Sequence, residues 1–216
     1  VGVFCLIFST FSSLGISIIF TLINYFLIVV GVLIFHAVFT YSLLLTSLAK
    51  INPFIFFSKM REAIIFAFST SSSSATMPVT LKTVEEKLGV DKSVSSFCIP
   101  LGTTINMDGT AIMQGVATVF IAQVYQIDLS MMEYLMVIIT ATLASIGTAG
   151  VPGVGLIMLA MVLQQVGLPV EGIALIIGVD RLLDMLRTAV NVSGDATISC
   201  IVANSENQLS RKDFIS

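Results

Sequence analysis

The hydrophobic pattern divides the chain into long apolar runs separated by short polar stretches. The run 16–48 contains no acidic residue, lysine or arginine. It exceeds the about 20 residues that a helix needs to cross a bilayer, so it predicts one tilted transmembrane helix. Residues 1–14 are apolar but too short to cross, and we expect them to be the end of a preceding transmembrane helix. Lys50, Lys59 and Arg61 follow the run and indicate a cytoplasmic loop.

The next stretch predicts a hairpin that enters the membrane without crossing it. Apolar residues 63–68 stop at the polar run Ser69–Thr76, and the sequence turns charged soon after Pro78. Each apolar arm is too short to span, and polar backbone at membrane depth is tolerated where it lines a protein cavity. We therefore predict a re-entrant helical hairpin over 53–88. A flexible serine linker between two domains is the alternative.

Two further apolar runs are also interrupted by polar or glycine-rich residues. Residues 93–127 predict a helix broken at the sequence NMDGT, because Asp and Gly are unfavourable inside an apolar helix. Freed carbonyls and the carboxylate there could coordinate a cation. Residues 132–166 predict a second re-entrant hairpin with the glycine-rich tip GTAGVPGVG, where glycine permits close approach to a ligand. A plain turn between two full helices is the alternative. Together the hairpins form an internal repeat typical of transporters.

The last predicted helix, 169–203, carries most of the candidate chemistry, and a polar tail, 206–216, follows it. At about 100° per residue, one stripe of this helix collects Asp180, Asp184, Arg187, Thr188, Asn191 and Asp195. Each ionised side chain costs about 2.5–3.5 kcal/mol at bilayer depth. The stripe therefore predicts a ligand and ion site that faces the protein interior. Internal ion pairs that hold helices together, such as Asp184 with Arg187, are the alternative.

Composition excludes several classes of protein. Apolar residues make up 56% and charged residues 11% of the 216 residues, too little polar surface for a water-soluble globule. The stretch 93–210 has only two basic residues, which excludes nucleic acid as a partner. We interpret Cys5, Cys98 and Cys200 as small buried hydrophobes and His36 as a hydrogen-bonded structural residue.

The sequence agrees less well with an enzyme or a channel than with a transporter. We find no pairing of nucleophile and base, no phosphate-binding glycine loop and no zinc spacing, so we predict no enzyme and no organic cofactor. An intramembrane hydrolase would need a second catalytic motif. A channel would prefer rings of one residue type, whereas Arg, Asp, Asn and Thr share one helix here, as an amphoteric substrate requires.

Four motifs resemble the dicarboxylate/amino acid:cation symporter family, the bacterial and archaeal relatives of glutamate transporters. They are SSSSATMP, NMDGT, GTAGVPG and D-x3-D-x2-RT-x2-N-x3-D, in that order. The resemblance covers 1–206 and matches the second half of the family's fold. It implies an all-α membrane protein with two re-entrant hairpins and an unwound transmembrane helix. Residues 53–205 would form the moving transport domain of an elevator-type transporter.

The resemblance also implies a substrate site. Arg187 would pair with the side-chain carboxylate of an acidic amino acid, and Asp184 would take its amino group. Thr188 and Asn191 would add hydrogen bonds. The hairpin tips and the unwound helix would close over the substrate through Ser71, Ser72, Ser73, Thr110, Val151 and Gly155.

Sodium would be the coupling ion. The resemblance implies one site from Gly102, Asn106, Asn191 and Asp195, a second from carbonyls near Thr104, Ser145, Ile146 and Thr148, and a third at Asp108. Asp195 favours sodium, since proton-coupled relatives tend to have asparagine there, and Asp184 favours amino acids over simple dicarboxylates. A proton-coupled symporter of glutamate, aspartate or dicarboxylates is the alternative.

The surroundings of the protein follow from the same resemblance. We expect a multi-pass integral membrane protein in the plasma (inner) membrane of a prokaryote. It would contact membrane lipid and form a homotrimer as the full-length protein.

Overall fold

The computed structural model describes residues 18–211 and 214. The described residues form nine α-helices: α1 Ile18–Phe35, α2 Tyr41–Leu44, α3 Pro53–Thr70, α4 Ser73–Glu86, α5 Lys92–Ile105, α6 Asp108–Val124, α7 Met131–Ile146, α8 Val154–Gln165 and α9 Ile173–Ser205. No strand occurs among them, and the predicted all-α fold is confirmed. The expected end of a preceding helix, 1–14, lies outside the described residues.

The first two helices form one continuous rod. Two π-helical turns, His36–Thr40 and Leu45–Ala49, continue α1 and α2. Within the part of the chain that the structure describes, Phe20–Ala49 is the one helix long and apolar enough to cross a membrane, with a mean hydropathy of 2.4. Lys50 ends the rod in a left-handed conformation, with φ of 55°.

One face of the rod packs against the other helices. It buries Leu22, Tyr25, Val29 and Leu33, at spacings that place them on a single helical stripe. Only 22% of the most apolar window of the rod is buried. Most of its apolar surface therefore faces away from the rest of this chain.

The serine-rich stretch folds into a sharp helical hairpin of α3 and α4. Asn52 caps α3 by accepting the Phe54 N–H at 2.9 Å, and Pro53 occupies the first helical position, where its missing N–H costs nothing. Ser71 ends α3 with φ of 52°. Ser72 then begins α4 by accepting the Ala75 N–H. The serines are therefore helix ends, and this part of the chain is not a flexible linker.

The glycine-rich stretch forms a second hairpin of α7 and α8. Ser130 and Glu133 form a capping box at the start of α7. The turn ends at Gly153, whose φ of 81° suits glycine. Both helices are apolar, with 16 and 12 residues. They are shorter than the about 20 residues of a full span.

The NMDGT stretch interrupts one helical course and starts another. Asn106 and Met107 have non-helical dihedral angles, and they separate α5 from α6. Asp108 stands in the first turn of α6, where the helix dipole favours an acidic side chain. The polar sequence at the middle of this segment thus breaks the helix.

The central element is α9, which contacts the rod, both arms of the first hairpin, α5 and α6. Its first half, with Ile176 and Leu183, belongs to a hydrophobic cluster with the start of the rod and the second hairpin. Its second half, with Ala196 and Ala203, belongs to a cluster with the first hairpin and α5. The polar stripe of α9 lies where the two clusters meet.

Cys98 and Cys200 are buried and free, as predicted, whereas Cys5 lies outside the described residues. In the polar tail, Ser210 donates its N–H to the Gly89 carbonyl at 2.7 Å. Phe214 is buried in the second cluster. The tail therefore packs against the loop between α4 and α5.

Candidate functional site

The tips of the two hairpins meet in front of the middle of α9. The Ser72 hydroxyl donates to the Gly150 carbonyl at 2.7 Å, and the Ser74 N–H donates to the same carbonyl at 3.1 Å. A Cβ at Gly150 would lie 2.9 Å from Ser74 Oγ and 3.1 Å from the Thr103 carbonyl. The approach of the two tips therefore requires a glycine at this position.

A small cavity lies between the tips, α6 and α9. Its volume is about 10 Å³, roughly what one water molecule needs. Most of the predicted substrate residues line it, together with neighbours: Ser71, Ser73, Met107, Thr110, Thr148, Ala149, Gly150, Val151, Gly155, Asp184, Thr188 and Asn191. Residues from four separate stretches of sequence thus reach one point.

Arg187 is the cation of the site. Its side chain is 1% exposed, and its Nη2 lies 2.9 Å from Asp184 Oδ1 and 3.1 Å from Asp180 Oδ1. Its Nε and Nη1 have no hydrogen-bond partner among the described residues. Because a buried guanidinium is costly unless its donors are satisfied, the free edge of Arg187 suits an anionic ligand.

A glycine in the second hairpin lies next to that edge. A Cβ at Gly155 would lie 3.4 Å from Arg187 Nη1 and 3.3 Å from Thr110 Cγ2. The backbone of α8 therefore runs close beside the guanidinium. Asp184 also accepts the Gly153 N–H at 3.1 Å, which ties the tip of the second hairpin to α9.

The ion pair of Asp184 with Arg187, which the sequence offered as a structural alternative, is present in the folded chain. It does not use all the donors of Arg187, so a structural and a binding role are compatible. Asp180 was placed on the stripe but not among the site residues. Its position two helical turns before Arg187 was the signal that could have identified it.

Two other stripe residues already have partners. The Thr188 hydroxyl donates to the Asp184 carbonyl at 2.8 Å, and its oxygen remains an acceptor. Asn191 Oδ1 accepts the Gly109 N–H at 2.8 Å. Asn191 therefore fixes the start of α6 against α9 while it lines the cavity.

The residues of the first predicted sodium site lie together. Asn106 Nδ2 donates to Asp195 Oδ1 at 2.8 Å and to the Asn191 carbonyl at 3.3 Å. A Cβ at Gly102 would lie only 2.5 Å from Asp195 Oδ1. Asp195 is 2% exposed, and no described residue forms a salt bridge with it. A buried carboxylate in that position favours a cation.

The residues of the second predicted sodium site are linked by fewer hydrogen bonds. The Ser145 carbonyl accepts the Thr148 N–H at 3.1 Å, and Ile146 ends α7 beside them. The Thr104 hydroxyl donates within α5, to the Leu101 carbonyl at 2.8 Å. Helices α5 and α7 contact each other, but no hydrogen bond joins Thr104 to the other three among the described residues.

Asp108, the third predicted sodium ligand, is held by the rod. Its Oδ2 accepts a hydrogen bond from the Tyr41 hydroxyl at 3.0 Å and lies 3.2 Å from His36 Nε2. The expected hydrogen bond of His36 is therefore present. Tyr41 was not predicted at all, since 67 residues separate it from Asp108.

The described residues hold no group of three His, Cys, Asp or Glu side chains that could bind a metal. The predicted sets consist instead of carbonyl and amide oxygens with single carboxylates. Hard oxygen donors of this kind suit a hard cation such as sodium.

An all-helical chain with two short hairpins around a buried amphoteric site is typical of a membrane transporter. The model of the Sodium:dicarboxylate symporter family matches residues 1–205. The chain therefore belongs to this family, and the resemblance identified from its motifs is confirmed. The family is one of transporters and not of enzymes.

Several animal proteins are similar to the chain. Excitatory amino acid transporter 1 of Rattus norvegicus is 48% identical over 187 residues, which cover 86% of this chain and 34% of that protein. Excitatory amino acid transporter 3 of Oryctolagus cuniculus is 47% identical over 190 residues, 88% of this chain and 36% of that protein. An excitatory amino acid transporter of Caenorhabditis elegans is 47% identical over 178 residues, 82% and 35%. The chain thus spans about a third of the length of these relatives.

Proposed function

We propose that the protein is a sodium-coupled symporter of acidic amino acids, aspartate or glutamate. The observation that carries this proposal is the free edge of buried Arg187 beside Asp184. A guanidinium fork pairs with a carboxylate through parallel hydrogen bonds, and Asp184 offers a carboxylate for an ammonium group. The names of the similar proteins, excitatory amino acid transporters, support the same class of substrate.

The hairpin tips would bind the part of the substrate that Arg187 and Asp184 do not contact. Helices α4 and α8 begin at Ser73 and Val154, beside the cavity. The first N–H groups of a helix lack intrahelical partners and favour negative charge. We infer that these helix starts bind the main-chain carboxylate of the substrate, while Thr110, Thr188 and Asn191 orient it.

Closure of the second hairpin would control the access of substrate to the cavity. A cavity of about 10 Å³ is too small for an amino acid, so one tip has to move when substrate enters. The first hairpin packs along α9, whereas α7 and α8 pack mainly on each other and on α6. We infer that the second hairpin opens, and that both hairpins are re-entrant parts of a moving transport domain, 53–205.

Sodium would be bound beside the substrate. Gly102, Asn106, Asn191 and Asp195 would hold one ion, carbonyls near Thr104, Ser145, Ile146 and Thr148 a second, and Asp108 would contribute to a third. Asn191 belongs to both the cavity and the first ion set. A residue shared in this way couples the binding of ion and substrate, and such coupling is reciprocal.

Replacing Gly102 by alanine tests the first ion set. The added methyl would lie 2.5 Å from Asp195 Oδ1, so the carboxylate or α5 has to shift. Overpacking of this kind costs about 1–3 kcal/mol, and we expect the half-saturating sodium concentration for uptake to rise about tenfold. Gly115→Ala is the matched control, because an added methyl there meets nothing within 4 Å. An unchanged sodium dependence in Gly102→Ala would argue against this ion set.

The setting of the full-length protein follows from its family. We propose a multi-pass protein of the plasma membrane that contacts lipid and assembles as a homotrimer. The apolar rod Phe20–Ala49 supports membrane insertion. The relatives described above are animal proteins, and they give no support to the predicted prokaryotic inner membrane.

Uptake by the full-length protein in liposomes tests the function as a whole. We expect concentrative uptake of labelled aspartate or glutamate when sodium is high outside, and competition by the other acidic amino acid. A proton gradient without sodium should drive no uptake. Uptake on the proton gradient alone would favour the proton-coupled alternative, and competition by succinate but not by amino acids would favour a dicarboxylate carrier.

A further inference from the structure

A groove of about 520 Å³ runs along the outer side of α3, away from the substrate site. One helix supplies most of its lining, and the end of α4 supplies the rest: Ser58, Lys59, Arg61, Glu62, Ile65, Phe66, Ser69 and Lys87. None of these residues has a part in the proposed transport mechanism.

The two ends of the groove differ in chemistry. At one end, Arg61 and Lys87 line the groove with a single acid, Glu62, so basic side chains outnumber acidic ones there. Lys87 Nζ bonds Glu62 Oε2 at 2.6 Å. Toward the hairpin tip, Ile65 and Phe66 line the groove with 57% and 41% of their surface exposed.

The spacing of these ends matches an amphipathic molecule. With a rise of about 1.5 Å per residue, the apolar end at Ile65 lies roughly 6 Å along α3 from Arg61. A soluble anion would use the basic end and leave the apolar end exposed. A lipid has both a charged group and an acyl chain joined at such a distance.

We propose that this groove binds one phospholipid with an anionic headgroup. The lipid phosphate would lie between Arg61 and Lys87, and an acyl chain would cover Ile65 and Phe66. Basic residues next to a membrane segment attract anionic lipid by about 1 kcal/mol each, or roughly fivefold in affinity. The groove shares no residue with the substrate cavity or the predicted sodium sites, and its test does not require transport.

The test measures the thermal unfolding of the full-length protein in detergent micelles with increasing dioleoylphosphatidylglycerol. A ligand of the folded state raises the unfolding midpoint, and dioleoylphosphatidylcholine should raise it less. In Arg61→Gln/Lys87→Gln we expect the half-saturating fraction of phosphatidylglycerol to rise about 25-fold, from fivefold per basic residue. Lys92→Gln/Arg211→Gln removes the same charge outside the groove, and we expect it to leave the half-saturating fraction of phosphatidylglycerol unchanged.

A second pair of variants tests the acyl chain. Phe66→Ser should weaken the effect of phosphatidylglycerol severalfold, whereas Phe68→Ser, on the same helix but outside the groove lining, should not. Glycerol phosphate, the soluble headgroup, lacks the acyl chains and should give a much smaller shift. The proposal is overturned if phosphatidylglycerol does not raise the unfolding midpoint, or if both charge variants lose this rise equally. It is also overturned if glycerol phosphate raises the midpoint as much as phosphatidylglycerol does.

Discussion

Arg187→Cys is expected to abolish uptake of aspartate and glutamate while it spares binding of a small neutral amino acid. The substitution removes the buried cation whose Nε and Nη1 have no protein partner. Hydrogen bonds to a charged group contribute about 1.5–3 kcal/mol each, so the loss of two should weaken acidic substrates by about a hundredfold or more. The measurement is competition for binding or uptake by aspartate, glutamate, serine and alanine.

Arg181→Cys is the matched control, because Arg181 is the exposed neighbour on the same helix. It removes the same charge and should retain acidic uptake. Arg187→Cys also leaves Asp180 and Asp184 without their counter-charge, so its unfolding midpoint has to be measured as well. Unchanged affinity of folded Arg187→Cys for aspartate and glutamate would refute this assignment of specificity.

Asp195→Asn is expected to weaken sodium binding and, through it, substrate affinity. Asp195 is 2% exposed, and its side chain accepts a hydrogen bond from the neutral amide of Asn106. Asparagine keeps the shape but removes the charge that would attract the ion. We expect the half-saturating sodium concentration to rise, and because coupling free energies between sites are typically about 1–3 kcal/mol, substrate affinity at a fixed low sodium concentration should fall about five- to hundredfold. High sodium should partly restore substrate binding.

The control for this variant is Asp91→Asn. Asp91 caps α5 by accepting the Ser93 N–H, and asparagine caps a helix about equally well. The control therefore loses one negative charge at an exposed position without losing the cap. Asp195→Asn with an unchanged dependence on sodium would lead us to abandon sodium coupling at this residue and to test protons instead.

Much of the local structure was decided by the sequence alone. The break at Asn106 and Met107 follows from a polar, glycine-containing stretch that is a poor helix former. The first hairpin turn follows from Ser71 and Ser72, since short polar side chains tolerate or cap helix ends. The stripe of α9 follows from helical periodicity. These features depend on residues within a few positions of each other.

Local sequence patterns also identified the main residues of the site. Asp184, Arg187 and Asn191 share one helical face, so their proximity needed no tertiary information. Their bonds nevertheless depend on the fold: Asn191 reaches Gly109, and Asp184 reaches Gly153. The sequence could predict a common face but not which partner each side chain meets.

Only the tertiary structure decided the contacts between distant segments. Ser72 meets Gly150 across 78 residues, and Tyr41 meets Asp108 across 67. Whether such groups meet depends on how whole helices dock, and docking is set by the nondirectional burial of many apolar side chains. No local pattern near Tyr41 therefore indicated its bond to Asp108. For the same reason, the sequence determined the helices, their breaks and the polar face of α9, while packing alone decided that the guanidinium of Arg187 keeps unpaired donors beside the second hairpin.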